Sequence, residues 1–136
     1  MNQQMKTNST LLLPGSVGEL FDKLTILRIK NQRIHDPLKL KNVRREMLLL
    51  EQIATTLVLP PEVEPVIAQL QAVNEQLWSI EDEIRECERA RDFSQNFISL
   101  ARAVYITNDQ RATLKRQLNE LAGSDVIEEK SYADYQ

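Results

Sequence analysis

Helix-breaking residues fall in this chain where helices can begin or end and almost nowhere else: Pro14, Gly15 and Gly18, then Pro37, then Pro60, Pro61 and Pro65, then Gly123. Proline lacks the backbone donor that a helix interior needs and clashes with the preceding turn, so each interval between these positions can be one helix. Ser16-Val17-Gly18-Glu19 reads as a capping box, in which Ser16 and Glu19 each satisfy an orphan N–H, and the first helix is predicted to reach about Ile34. His35-Asp36-Pro37 then offers a break, an N-cap at Asp36 and a proline suited to a first helical position, with a second helix to about Leu57. Pro65 can sit in the first turn of a third helix that continues to about Arg89. Ser94 can cap a fourth that ends at Gly123.

Within these intervals the apolar residues keep helical time, and no strand-like alternation competes. The third helix carries Val66, Leu70, Val73, Leu77, Ile80, Ile84 and Cys87 as one seam, and the second carries Leu40, Val43, Met47, Leu50, Ala54 and Leu57. The first gives Val17, Leu20, Leu24, Leu27, Asn31 and Ile34. The fourth gives Phe97, Leu100 and Val104, then Thr107 and Arg111 in seam places, then Leu114, Leu118 and Leu121. Short connections make sequential helices antiparallel neighbours, so the expected fold is all-α: antiparallel helical hairpins forming a four-helix bundle. At about 1.5 Å per residue the last two helices span roughly 40 Å, which favours an elongated, oligomeric protein and a homodimer first. The expected organisation is a flexible N-terminal segment over 1–14, one helical domain over 15–123 and a C-terminal tail over 124–136.

Composition removes several function classes. The net charge is −3 with 27% charged residues, which fits neither a disordered chain nor a strongly basic nucleic-acid binder. Cys87 is the single cysteine, so a disulfide framework and a zinc ribbon are excluded and a reducing, cytoplasmic setting is expected. Leu11, Leu12 and Leu13 are too short a run for a signal-peptide core or a membrane span. With three glycines in all, no glycine-rich phosphate loop can be built.

The fourth helix poses a problem at its centre, where Thr107, Asn108 and Asp109 are mediocre helix formers that compete for the backbone's own hydrogen bonds. If the last two helices fold back at about residue 93, these residues meet the level of Trp78 to Ile80. There the third helix carries a second stripe of Asn74, Trp78, Glu81 and Arg85. A band of Asn74, Trp78, Glu81, Asp82 and Arg85 is thus expected to face Arg102, Tyr105, Asn108, Asp109, Arg111 and Lys115. Polar atoms at seam positions cost stability unless they are bonded, so a connected network follows. Three readings stand: the network fixes helix register; it forms a pocket where Arg111, Lys115 and Arg102 receive an anion and Trp78 or Tyr105 stacks on a flat group; or the helix breaks at Thr107, where Thr107-x-x-Gln110 is itself a capping box. Lys130 and Tyr132 of the tail are expected to fold back onto the band or onto a partner.

Other chemistry is thinner. Glu83 and Glu86 have the spacing that gathers carboxylates for magnesium, as in helical nucleotide pyrophosphatases, but the fourth helix supplies no second pair. His35 is the sole histidine and lies beside a helix break. Cys87 closes a seam among acids that disfavour its thiolate. Arg28, Lys30, Arg33, Lys39, Lys41, Arg44 and Arg45 make the tip of the first hairpin basic, while Glu81, Asp82, Glu83, Glu86 and Glu88 make part of the third helix acidic. That complementarity is read as orienting hairpins or subunits. A nucleic-acid contact is not favoured, because no aromatics interleave with the basic residues.

Four ordered motifs carry a resemblance: Gly18-Glu19-Leu20-Phe21-Asp22-Lys23-Leu24-Thr25-Ile26-Leu27, Asn74-Glu75-Gln76-Leu77-Trp78-Ser79-Ile80-Glu81-Asp82, Ala101-Arg102-Ala103-Val104-Tyr105-Ile106-Thr107-Asn108-Asp109 and Glu128-Glu129-Lys130-Ser131-Tyr132. Together they resemble an uncharacterised bacterial family described only as a domain of unknown function, from Leu12 to Tyr132, with Arg28 and Ala103 departing from its usual residues. The resemblance implies no activity, and at most an accessory place beside sugar-handling enzymes in surface-polysaccharide assembly. The expected function is a cytoplasmic helical interaction or ligand-binding module that needs no cofactor, whose polar band sets register and holds a small anionic ligand. The alternatives are a magnesium-dependent enzyme on a nucleotide or sugar-phosphate, with Glu83 and Glu86 as ligands, and an adaptor using the basic tip.

Overall fold

The computed structural model describes residues 10–135. The flexible segment expected over 1–14 lies outside the described residues for positions 1–9. Four helices follow: α1 (Val17–Arg33), α2 (Pro37–Thr55), α3 (Val63–Arg89) and α4 (Gln95–Ala122). They pack into an all-α, bundle-like arrangement, and among the described residues no helix is long and apolar enough to cross a membrane.

The helix ends follow local chemistry. Ser16 Oγ accepts the Glu19 N–H at 3.1 Å and Asp36 Oδ1 accepts the Leu38 N–H at 3.1 Å, each satisfying an orphan donor of a first turn. The reciprocal half of the capping box goes elsewhere, for the Glu19 carboxylate is turned to Lys115. Ser94 is the N-cap of α4, but its side chain makes no cap bond; Asp92 Oδ1 instead accepts the Ser94 N–H at 3.0 Å. Gly123 ends α4 at φ 65° and ψ 40°, the left-handed conformation in which a Cβ crowds the following carbonyl. Gly123→Ala is therefore expected to cost about 1 kcal/mol, read as a small drop in thermal midpoint.

α4 runs unbroken through Thr107. The break considered there does not occur, because Thr107 is buried within the bundle and packing outweighs its weak propensity.

α1 contacts all three other helices, whereas the backbone of α2 approaches only α1. Phe21 and Leu24 of α1 join Val63, Val66, Ile67 and Leu70 of α3 and Leu114 and Leu118 of α4 in one core, with Met47, Leu50 and Ala54 of α2 packed against it. Full burial of each large aliphatic side chain here contributes about 1.5–3 kcal/mol. The seam read for α1 was too narrow: Phe21, Asp22, Thr25 and Ile29 are buried as well, as a helix enclosed on three sides requires.

The core lies at one end of the α3–α4 pair. Beyond Asn74 in α3 only Cys87 is buried, and before Thr107 in α4 nothing is. These distal halves form a two-helix arm.

Candidate ligand-binding site

The centre of the polar band is Asp22, on α1. Its Oδ1 accepts Arg111 Nε at 2.8 Å and Asn74 Nδ2 at 3.0 Å, and its Oδ2 accepts Arg111 Nη2. Asn74 Nδ2 also donates to Thr25 Oγ1 at 2.9 Å, and that hydroxyl donates to the Asp22 carbonyl at 2.8 Å. One carboxylate thus ties α3 and α4 to α1. The bidentate guanidinium pairing fixes the rotation of α4 as well as its distance.

Burial alone would raise the Asp22 carboxyl, but its bonds to Arg111 and Asn74 and the nearby Lys115 charge outweigh that and hold it below the usual carboxylate range. Asp22 in turn keeps Arg111 more firmly protonated. Among the described residues no buried side-chain nitrogen or oxygen lacks a partner.

Outward from this hub the band opens. Burial disfavours the Lys115 charge, but Glu19 at 2.8 Å, Asp22 at 3.8 Å and Glu128 at 3.2 Å more than restore it and raise its pKa. Glu128 belongs to the segment after Gly123, which returns along α4. Ser124 Oγ accepts the Val17 N–H at 3.3 Å, Arg116 pairs with Glu129 at 3.1 Å, and Tyr135 meets Tyr105 edge-on with centroids 5.1 Å apart. The Asp109 carboxylate, bonded to the Tyr135 hydroxyl, pushes that phenol's pKa up.

Between this segment, α4 and the start of α1 lies a groove of about 660 Å³, with Asn108, Arg111 and Lys115 on one side and Lys130, Tyr132 and Tyr135 on the other. Its formal charges balance: Arg111, Lys115 and Lys130 against Glu19, Asp109 and Glu128. Glu128 sits between two of the cations, its Oε1 accepting Lys130 Nζ at 2.7 Å and its Oε2 accepting Lys115 Nζ at 3.2 Å. Those two ammonium groups hold the Glu128 carboxyl below its usual range.

Of the residues singled out from the sequence, Tyr105, Asn108, Arg111, Lys115, Lys130 and Tyr132 come together in this groove. Asn74 lies behind them in the closed hub. Trp78, Glu81, Asp82, Arg85 and Arg102 do not line the groove. Trp78 is half-buried beneath the Arg33 guanidinium, 6.0 Å from its ring centroid, and Glu81 pairs with Arg85 on the exposed arm. Asp82 and Arg102 are exposed. The band was drawn between α3 and α4 alone, but α1 supplies the carboxylate that both helices bind.

Asp22, Thr25, Glu19 and Glu128 were therefore missed. The available signal was an acid and a threonine set beside Phe21 and Leu24. Glu83 lies on the open face of α3 and Glu86 pairs with Arg89. Among the described residues no three histidine, cysteine or acidic side chains gather to hold a metal.

No protein-family model matches the chain, and neither do curated proteins or solved structures. What the fold and site define is a class, a helical bundle with a closed ion-pair hub and a solvent-open groove beside it.

Proposed function

We propose that this protein is a ligand-binding module whose groove between α4, α1 and the C-terminal segment takes a small molecule carrying an anionic group and a flat or ring-shaped body. The observation that carries this reading is Glu128. A carboxylate held between the Lys115 and Lys130 ammonium groups marks the position an anion would take, at the edge of a groove walled by Tyr105, Tyr132 and Tyr135. The inner half of the band has the other role weighed for it. Asp22, Thr25 and Asn74 are fully bonded to one another and to Arg111, and they set the register of three helices.

The same proposal includes a cytoplasmic setting, in keeping with the single, buried cysteine. It also includes membership of the uncharacterised bacterial family, whose fourth motif, Glu128 to Tyr132, is the stretch that closes the groove. Accessory service in surface-polysaccharide assembly would suit a binder of sugar phosphates.

Inorganic phosphate, a nucleoside monophosphate and a hexose phosphate, each titrated and followed by amide NMR shifts and thermal midpoint, test the groove. Glu128→Gln removes the internal competitor and leaves the groove with net positive charge, so phosphate-bearing probes are expected to bind it roughly tenfold more tightly than the natural chain, the worth of one charge-assisted contact. Adding Lys130→Ala to that variant should reverse the gain. Equal binding to the natural chain and Glu128→Gln, or shifts that avoid Asn108 and Arg111, would refute the assignment.

A further inference from the structure

The arm formed by the distal halves of α3 and α4 lacks the third helix that encloses the rest of the pair. Ile80, Ile84, Phe97, Leu100 and Val104 are only half-buried by one another, and Phe93 and Ile98 are exposed at 51% and 47%. A standard interface needs about 800 Å² from each partner.

Charge says which partner. Arg28, Lys30, Arg33, Lys39, Lys41, Arg44 and Arg45 crowd the α1–α2 tip, and among the described residues none of them has an ion pair. The tip lies at the base of the arm, where Arg33 borders Ser79, Ile80 and Glu83. From Glu81 to Glu88 the arm carries five acids against Arg85, with Arg89 and Arg91 following at its end, and among the described residues Asp82, Glu83 and Glu88 have no ion pair. A single chain cannot bring its own Glu88 back to Arg33, because about eight residues of rigid helix, roughly 12 Å, separate the levels of Ile80 and Glu88. A second copy can.

We infer that two chains pair arm to arm, antiparallel, about a two-fold axis at the level of Ile84 and Leu100, so that four arm helices close an apolar core and each acidic arm end reaches the partner's basic tip. Around that axis the partner's Glu88 falls at the level of Ile80, beside Arg33. Such an isologous contact is self-complementary in both apolar and charged surface. It involves neither the groove nor its cations, so it stands or falls independently of ligand binding.

Sedimentation equilibrium and light scattering of the full chain provide the test. At about 50 μM, a concentration at which a standard interface is populated, a mass near twice 15.7 kDa is expected. Ile84→Glu with Leu100→Glu should give a monomer whose helical circular dichroism is retained. Because that pair could also loosen the arm, a charge swap supplies the second reading. Glu88→Arg and Arg33→Glu should each weaken dimerisation at least tenfold at low salt, and the double variant should restore it. A monomeric natural chain, or a dimer indifferent to all of these changes, would overturn the pairing. A monomer whose tip binds polyphosphate would hand the basic residues to a phosphate polymer instead.

Discussion

Gly18→Ala is expected to destabilise the fold by about 2 kcal/mol, although the same exchange in an exposed helix would stabilise it. Alanine's better helix propensity is worth at most about 1 kcal/mol, and less in a first turn. Against it stands geometry. A Cβ on Gly18 would lie 2.4 Å from the Lys115 carbonyl oxygen and 3.0 Å from Asn119 Oδ1. The nearer atom is backbone, so α1 and α4 must move apart, and overpacking of this kind costs about 1–3 kcal/mol.

The separation also strains the bond by which Asn119 Oδ1 accepts the Gly18 N–H at 2.7 Å, one of the orphan donors of the α1 start. Gly15→Ala is the control, since a Cβ there meets nothing within 4 Å, and it should stay within about 0.5 kcal/mol of the natural chain. Chemical unfolding of the two variants side by side decides the matter. Equal midpoints would mean that α1 does not approach α4 as closely as the Gly18–Lys115 contact requires.

That contact also shows where sequence reasoning reached and where it stopped. Helix number, order and approximate limits were legible because proline, glycine and caps act within a few residues, as Ser16, Asp36 and Gly123 do here. The seam of α2 was legible for the same reason, being one face turned to one neighbour, whereas that of α3 was read in part, because α3 meets both α1 and α4 and buries Val63 and Ile67 as well.

What was not legible is which helix stands in the middle. Nothing local marks α1 as enclosed by three neighbours, so Asp22 was given no role, and its partners Asn74 and Arg111 were set facing each other across a band that α1 in fact occupies. Gly18 was read as part of a cap rather than as the point where two backbones meet. The groove residues on α4 and in the tail came out together because Tyr105, Asn108, Arg111 and Lys115 share one helical face, a relation that spacing alone fixes. Trp78 and Glu81 were placed by height along α3, and height does not determine which side of a helix pair a residue faces.

The hub makes the second large effect calculable in sign. Asp22→Ala leaves the Arg111 guanidinium and the Asn74 amide without their carboxylate; removing one member of a buried pair costs about 3–5 kcal/mol. Arg111 is 30% exposed and can turn part of its charge to solvent, which discounts the figure to about 3 kcal/mol, or roughly 10 °C in thermal midpoint for a domain of this size. Asp22→Asn keeps the shape but not the charge, and should lie between the two.

The pH dependence separates this loss from simple cavity formation. The folded pKa of Asp22 is depressed below its ordinary 3.8, so its contribution is fully present above that value and disappears as the pH falls through the lower, folded value. The stability gap between the natural chain and Asp22→Asn is therefore expected to be constant from neutrality to about pH 5 and to close progressively below pH 4, because both side chains are then neutral. Denaturant unfolding at a series of pH values measures that gap directly. A gap that persists undiminished at pH 2 would mean that Asp22 stabilises by packing alone, and that the charge on Arg111 has another partner.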